Sequence, residues 1–121
     1  MTTNEEVVKE FTMYGTNELK RAENLYFNYD VLYSYGTHFP LLVRLKDGWI
    51  LNKDKYSVTT SKHRSICKRH IKDYIEMTTQ EIKNLLFKLL TENHKLRLVT
   101  LEDINKLRIC WELEHNENKS I

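Results

Sequence analysis

The sequence is poor in glycine, proline and cysteine, and each shortage excludes a class of protein. Three Gly and one Pro among 121 residues leave no long low-complexity or linker segment. Cys67 and Cys110 are too few for a disulfide framework, so both are interpreted as free thiols in a reducing compartment. The sequence also has no apolar run of about 18 residues and no secretory signal pattern at its start. We therefore expect one globular domain in the cytoplasm, without membrane contact.

Positive charge is concentrated in one segment of the chain. Residues 53–72 hold seven Lys or Arg against one Asp, a formal charge of +6 in a chain whose total is +2. The remaining residues therefore sum to −4. A concentrated basic surface attracts phosphate or acidic protein whatever the overall charge. The segment predicts an anionic partner.

The apolar pattern predicts an α+β fold, a small antiparallel β-meander of four to five strands packed with three to four helices, in a single domain of residues 1–121. Residues 4–14 show helical spacing and predict a short helix. Residues 25–58 are rich in aromatic and β-branched side chains and predict the meander, with Asp47-Gly48 as a tight hairpin turn that needs positive φ. The predicted strands are residues 25–29, 31–35, 41–45, 49–51 and 55–58.

Helical spacing returns after the strands. A basic helix is predicted behind Thr59-Thr60-Ser61, and a second helix begins with a capping box of Thr78 and Glu81. The apolar stripe of this second helix consists of Ile82, Leu85, Leu86, Leu89 and Leu90. The predicted bounds are 61–76 for the basic helix, 78–115 for the C-terminal helices with an edge strand at 95–99, and 116–121 for a frayed polar tail.

The start of the basic helix could hold an anion. Backbone N–H groups at a helix N-terminus and the positive end of the helix dipole favour a phosphate there. The side chains that would complete this site are Thr59, Thr60, Ser61, Lys62, His63 and Arg64. The alternative is structural: Thr60 or Ser61 caps the helix, and the cations, with Lys68, Arg69 and Lys72 further along, form a solvated face.

Aromatic residues accumulate beside the basic segment. Tyr33, Tyr35 and Tyr56 are the tyrosines expected at the surface, where rings next to cations could stack on nucleic-acid bases. Aromatics are also favoured in any half-buried sheet, so a packing role stays open. The sequence lacks the Lys/Arg-Gly-aromatic pattern of the common RNA-binding sheet and does not support that fold.

His63, Cys67 and His70 share the apolar face of the predicted basic helix at positions i, i+4 and i+7. This spacing could serve a transition metal, with His38 as a further ligand, but zinc sites usually draw on separated ligand pairs. A Cys67–His63 pair could serve nucleophilic catalysis, but no orienting residue accompanies it. We therefore predict core residues here, with no metal, no cofactor and no catalytic residue.

Two sequence motifs carry a resemblance. Leu32-Tyr-Ser-Tyr-Gly36, the Asp47-Gly48 hairpin and Lys55-Tyr-Ser-Val-Thr-Thr-Ser-Lys-His63 resemble a family of small uncharacterised proteins encoded by tailed bacteriophages and mobile elements. The resemblance covers about residues 31–71. It implies a viral or mobile-element origin, and the family comes with no established activity.

These observations lead to a ranked set of functions. The first is a phage-encoded, non-enzymatic anti-defence protein, such as an anti-CRISPR, that inhibits a host defence protein or ribonucleoprotein complex by stoichiometric binding through a basic and aromatic surface. The second is a direct nucleic-acid or signalling-nucleotide binding module that acts as a sponge. The third is a small phosphodiesterase or nuclease using His63 and His70; a homodimer is left open. The predicted contact residues are Thr59, Thr60, Ser61, Lys62, His63, Arg64, Lys68, Arg69, Lys72, Tyr33, Tyr35 and Tyr56.

Overall fold

The computed structural model describes residues 3–14, 21–22, 24–34, 39–55, 57–93 and 95–109. Within them, six strands form one sheet in sequence order. The strands are β1 (Arg21–Ala22), β2 (Leu25–Asn28), β3 (Val31–Ser34), β4 (Pro40–Arg44), β5 (Trp49–Asn52) and β6 (Tyr74–Met77). The helices are α1 (Asn4–Lys9), which a π-helical turn (Glu10–Tyr14) continues, α2 (Val58–His70), α3 (Thr79–Thr91), a 3₁₀ turn (Leu96–Leu98) and α4 (residues 101–109).

The sheet is an antiparallel meander with one parallel strand added. Strands β1 to β5 pair antiparallel in succession, and β6 then joins β5 in parallel. A parallel pair needs a crossover connection, and α2 provides it between β5 and β6. The predicted α+β class is confirmed, with a mixed sheet in place of the wholly antiparallel one.

The structure corrects the start of the basic helix. Ser57 is the N-cap of α2, and its Oγ accepts a hydrogen bond from the backbone N–H of Thr60 at 3.1 Å. The helix therefore begins at Val58, and the described residues of the strand predicted at 55–58 belong to a loop, Lys55 and Ser57, or to the helix, Val58. Thr59, Thr60 and Ser61 lie inside the first turn of α2 rather than before it.

The structure also corrects the end of the basic helix. It stops at His70, and the sequence from residue 74 becomes β6. The apolar residues Ile71, Tyr74 and Ile75 fit a helical period equally well, which explains the error. The exposed edge of β5 decides between the two, since pairing with β6 satisfies its backbone groups from Trp49 to Asn52.

The segment 95–99 is a 3₁₀ turn and not the predicted edge strand. The N–H groups of Leu98 and Val99 donate to the carbonyls of Lys95 and Leu96 at 2.9 and 3.1 Å. One further bond, from the N–H of Lys46 to the carbonyl of Val99 at 2.8 Å, ties the segment to the β4–β5 turn.

Helices cover both faces of the sheet, so the molecule has three layers. One core lies between the sheet and α1, its π-helical continuation and α2; it includes Val7, Phe11, Phe27, Leu42, Leu51 and Cys67. The other core lies between the sheet and α3, the 3₁₀ turn and α4; it includes Val43, Ile50, Met77, Ile82, Leu85 and Ile104. Side chains alternate along a strand, so Ile50 and Leu51 of β5 join opposite cores, whereas Leu41 and Leu42 of β4 share one core beside the register shift between β3 and β4.

Gly48 ends the turn between β4 and β5, where a glycine was predicted for its backbone freedom. Its φ is not in the left-handed region, and neither is that of Asp47. Glycine is required for space instead: a Cβ at this position would lie 2.5 Å from the carbonyl oxygen of Asp73 and 2.6 Å from Leu101 Cδ1.

Candidate functional site

The two sequence motifs meet at a buried polar cluster between β3 and α2. Ser34 Oγ lies 2.9 Å from His63 Nδ1 and 3.2 Å from Thr60 Oγ1, across 29 and 26 positions of sequence. Ser57 Oγ extends the cluster with a hydrogen bond to Thr60 Oγ1 at 3.2 Å. Ser34, Thr60 and His63 are fully buried, with exposed fractions of at most 1%. We call Ser34, Ser57, Thr60 and His63 the polar cluster.

Local structure places each member of the polar cluster. Ser34 faces α2 because it ends β3 on the side shared with Leu32, and its N–H is held by the carbonyl of Phe39 at 3.1 Å. Thr60 and His63 face the sheet because they are three apart on α2, and Cys67 follows one turn later on the same face. Burial lowers the pKa of His63 below its usual 6.5, which favours the neutral imidazole.

A hydroxyl beside an imidazole is the arrangement of a serine nucleophile and its general base. Here neither Ser34 nor His63 has surface that a substrate could reach. The pair instead satisfies two polar groups that would be costly to bury alone, and it joins α2 to β3 in one register. The geometry is that of a structural polar core.

The structure also places apart the two histidines that a phosphodiesterase or nuclease was predicted to use. His63 is buried, whereas His70 lies seven residues further, about 10 Å along the helix axis. His70 Nε2 contacts Glu5 of α1 at 2.8 Å. Cys67 lies between them, and burial raises the pKa of its thiol to about 12, so it stays protonated. The described residues contain no group of three or more His, Cys, Asp or Glu that could hold a metal ion.

Within the part of the chain that the structure describes, three of the seven cations of the basic segment contact other residues. Arg64 donates to the backbone carbonyls of Asn52, at 2.9 Å, and Asp54, so its guanidinium holds the β5–α2 loop. Arg69 forms a salt bridge with Glu5 at 2.8 Å. Lys68 reaches Glu76 of β6 at 4.0 Å.

The remaining lysines fall into two places. Lys53, Lys55 and Lys62 are exposed around the N-terminal end of α2, and among the residues that the structure describes none of them reaches a carboxylate within 4 Å. We call these three the lysine cluster. Lys72 is exposed beyond the other end of α2, where it lines a groove of about 620 Å³ with Trp49, Arg44 and His70 among others.

The one acid of the basic segment, Asp54, binds the start of α3 and also interacts electrostatically with Lys53 of the lysine cluster. The Asp54 carboxylate accepts a hydrogen bond from the backbone N–H of Thr79 at 2.7 Å, at the N-terminus of α3. Hydrogen bonding from Thr79 lowers the pKa of Asp54, so it is ionised at neutral pH. This carboxylate occupies one helix N-terminus, whereas the first turn of α2 has no acidic residue.

The other predicted contact residues differ in how exposed they are and in which face of the sheet they occupy. Ser61 is exposed and Thr59 is half-buried on the first turn of α2. Tyr33 is half-buried and faces α3, because it alternates with Ser34 along β3. Tyr35 and Tyr56 lie outside the described residues, as do His38 and Cys110. Among the described residues, the predicted basic and aromatic surface is therefore split between opposite faces of the sheet.

Sequence reasoning missed an apolar groove on the α3 side. Its volume is about 550 Å³, and Tyr29, Tyr33, Leu86, Leu90 and Leu96 contribute to its lining. Leu90, a member of the predicted apolar stripe, is 71% exposed. The available signal was the width of the apolar stripe on α3, to which Phe87 adds a further exposed ring.

The fold and the site together define a small α+β protein, a mixed sheet between two helical layers with a buried polar cluster and two exposed surfaces of different chemistry. The chain belongs to a family of unknown function (DUF8033), which matches residues 2–86. The match includes the polar cluster and the lysine cluster and ends within α3, before Phe87 and Leu90. No curated protein and no solved structure matches the chain. None of the described helices has the length and apolar character needed to cross a membrane.

Proposed function

We propose that this protein is a phage-encoded, non-enzymatic anti-defence protein that inhibits a host immune complex by stoichiometric binding in the bacterial cytoplasm. The observation that carries the proposal is the lysine cluster, Lys53, Lys55 and Lys62, three exposed cations at one helix end that form no salt bridge with a carboxylate among the described residues. The resemblance of the two motifs to phage proteins supports the viral origin. The polar cluster in which these motifs meet is buried and offers no reactive group to a substrate, which favours inhibition by binding over catalysis.

The position of the lysine cluster favours an external anion. The N-terminal end of a helix carries partial positive charge, so the helix dipole does not stabilise cations near it. In α2 no acid of the first turn offsets this charge, and Asp54, which interacts electrostatically with Lys53, is hydrogen-bonded to the start of α3. Acidic side chains or phosphates of a partner would supply the missing negative charge. A host defence protein or ribonucleoprotein complex offers both.

The proposal is tested by the plaquing efficiency of a targeted phage on bacterial strains that each carry one defence system. Expression of the wild-type chain should restore plaquing on at least one strain, and the Lys53→Glu, Lys55→Glu, Lys62→Glu triple variant should lose that effect. The matched control reverses three other exposed lysines, Lys9, Lys46 and Lys106, and should retain the effect. A folded cluster variant that inhibits as well as the wild type would contradict the lysine cluster as the binding surface. Restoration on no strain would count against the anti-defence function.

The second candidate is direct binding of single-stranded nucleic acid or a nucleotide, and the same lysine cluster favours it. Thr60 and His63 are buried, so the contacts would come from Lys53, Lys55, Lys62 and exposed Ser61. Three phosphate contacts give a slope of about −2 for the logarithm of affinity against the logarithm of salt concentration. A labelled oligonucleotide that binds with this slope, and that the charge-reversed triple variant no longer binds, would favour the second candidate over the first.

A further inference from the structure

Large apolar side chains are exposed together on the α3 side of the molecule. Phe87 is 75% exposed, Leu90 71% and Tyr29 65%. Single exposed apolar residues are ordinary, but a contiguous group beside a groove marks an interaction surface. Leu86 and Leu90 of α3 and Leu96 of the 3₁₀ turn continue this group into the groove, so the apolar surface has a concave part.

Part of the groove wall is aromatic. Tyr33 stacks on Tyr26 with ring centroids 5.4 Å apart. Tyr29 lies at the turn between β2 and β3 and has a φ of 57°. The Tyr33 ring, held by this stack, loses little conformational entropy on binding, and tyrosine hydroxyls can donate a hydrogen bond at the rim.

The rim of the groove carries positive charge. Lys95 and Arg97 line it, and Lys83 is exposed one turn before Phe87 on the same face of α3. The acid at this rim, Asp30, is engaged by Arg97 at 2.9 Å and by Arg44 at 3.7 Å. The surroundings of the groove therefore remain cationic.

The positive charge of the rim distinguishes between two possible occupants of the groove, a second copy of the chain and a partner protein. A second copy of the chain related by a two-fold axis would bring the same surface against itself, with Lys83 and Lys95 facing like charges. A partner with acidic residues beside an apolar face would match both the floor and the rim. We propose that the groove binds an amphipathic α-helix of a partner protein, apolar on one face and acidic along its margins. Docking an amphipathic helix by residues at i, i+3, i+4 and i+7 is a common mode of recognition for a groove of this kind.

The inference does not depend on the lysine cluster, which lies on the α2 side. It is tested with two synthetic peptides of about 16 residues that share one apolar face of Leu and Phe and carry Glu or Lys at its margins. Fluorescence anisotropy should show that the Glu peptide binds the full-length protein at least about tenfold more tightly than the Lys peptide. Leu90→Ser, in the lining of the groove, should abolish that binding, and Phe87→Ser, three residues before Leu90 on the same helix, should weaken it.

The matched control is Val58→Ser, which alters a residue 75% exposed on α2 and should leave peptide binding unchanged. Equal binding of the two peptides, no binding of either, or loss of binding in the Val58→Ser variant would overturn the proposal. A concentration-dependent dimer in analytical ultracentrifugation that Phe87→Ser dissociates would also overturn it, because the occupant would then be a second copy. All three substitutions are at exposed positions, so the variants should fold.

Discussion

The helices α2 and α3 have the same length and opposite constructions. Each has 13 residues, and each begins at a hydroxyl N-cap, Ser57 or Thr78. The buried face of α3 is aliphatic, with Ile82, Leu85 and Leu89, whereas that of α2 consists of Thr60, His63 and Cys67. Outside, α2 carries lysines and α3 carries Phe87 and Leu90. The exposed face of a helix can therefore differ in chemistry from one helix to the next independently of what its buried face is made of.

The two helices should also be held by different forces. Burial of Leu and Ile stabilises α3 through the hydrophobic effect, which depends on the apolar area removed from water and not on the orientation of the groups. The polar cluster holds α2 through hydrogen bonds, which need defined geometry and a defined protonation state. Substitutions that remove one kind of interaction at a time test this difference.

The largest effect is expected in the core under α3. Leu85→Ala truncates a fully buried side chain and should lower the free energy of unfolding by about 3 kcal/mol, because it loses apolar burial and leaves a cavity. Phe87→Ala, two residues away and exposed, should change it by no more than about 0.5 kcal/mol. Urea unfolding measures both. Similar losses for the two variants would mean that α3 packs with another face inward.

The next effect is expected at the polar cluster. Ser34→Ala removes one hydrogen-bond partner each from Thr60 and His63 and should cost about 2 kcal/mol, since buried polar groups lose a hydrogen bond without gaining water. The control is Ser65→Ala on the exposed side of α2, where the hydroxyl bonds only the carbonyl of Ser61. If Ser34→Ala lowers the free energy of unfolding no more than Ser65→Ala does, the polar cluster does not contribute to the stability of the fold.

A smaller effect is expected from pH. Burial depresses the pKa of His63 in the folded state below the usual 6.5, so the unfolded chain binds the proton first as pH falls. The stability from neutral His63 is therefore present above about pH 6.5 and is lost as pH falls through the folded pKa. Urea unfolding between about pH 7 and pH 5 should show this decline, and His63→Phe should flatten it. An unchanged slope in the variant would assign the decline to other groups.

The smallest effect is expected where α1 meets the end of α2. Glu5→Gln removes the salt bridge to Arg69 and weakens the contact with His70. Because both partners are at least partly exposed, the loss should be about 0.5 kcal/mol. It should vanish in about 1 M salt, where screening is strong. A loss that persists in high salt would indicate a hydrogen-bonding rather than an electrostatic role for Glu5.

The sequence predicts best what is local. The capping box of Thr78 and Glu81 is confirmed, with both of its hydrogen bonds present, because its partners lie three residues apart. The start of α2 could not be predicted in the same way, since several hydroxyls in a row could cap it. Ser57 becomes the cap in the arrangement that turns Thr60 and His63 toward Ser34, a residue more than 25 positions earlier.

The candidate surfaces could also be predicted only as far as their interactions are local in sequence. The sequence identifies the cations of residues 53–72 but not which of them are engaged, because their partners are distant along the chain: Arg69 meets Glu5 across 64 positions. Nor could it predict that Tyr33 would face away from α2, since that depends on which core each face of β3 joins. Strand β6 was missed for a related reason, because its pairing with β5 is long-range.

The polar cluster stabilises the fold on the buried face of α2, whereas we propose that the lysine cluster at the N-terminal end of α2 binds a partner, and one comparison of variants separates these two roles. Phage plaquing on a strain whose defence the wild-type chain blocks is measured for Ser34→Ala and for the Lys53→Glu, Lys55→Glu, Lys62→Glu variant, at a temperature where both remain folded. The account predicts that Ser34→Ala still restores plaquing and that the lysine variant does not. Loss of inhibition in Ser34→Ala with full inhibition by the lysine variant would contradict it.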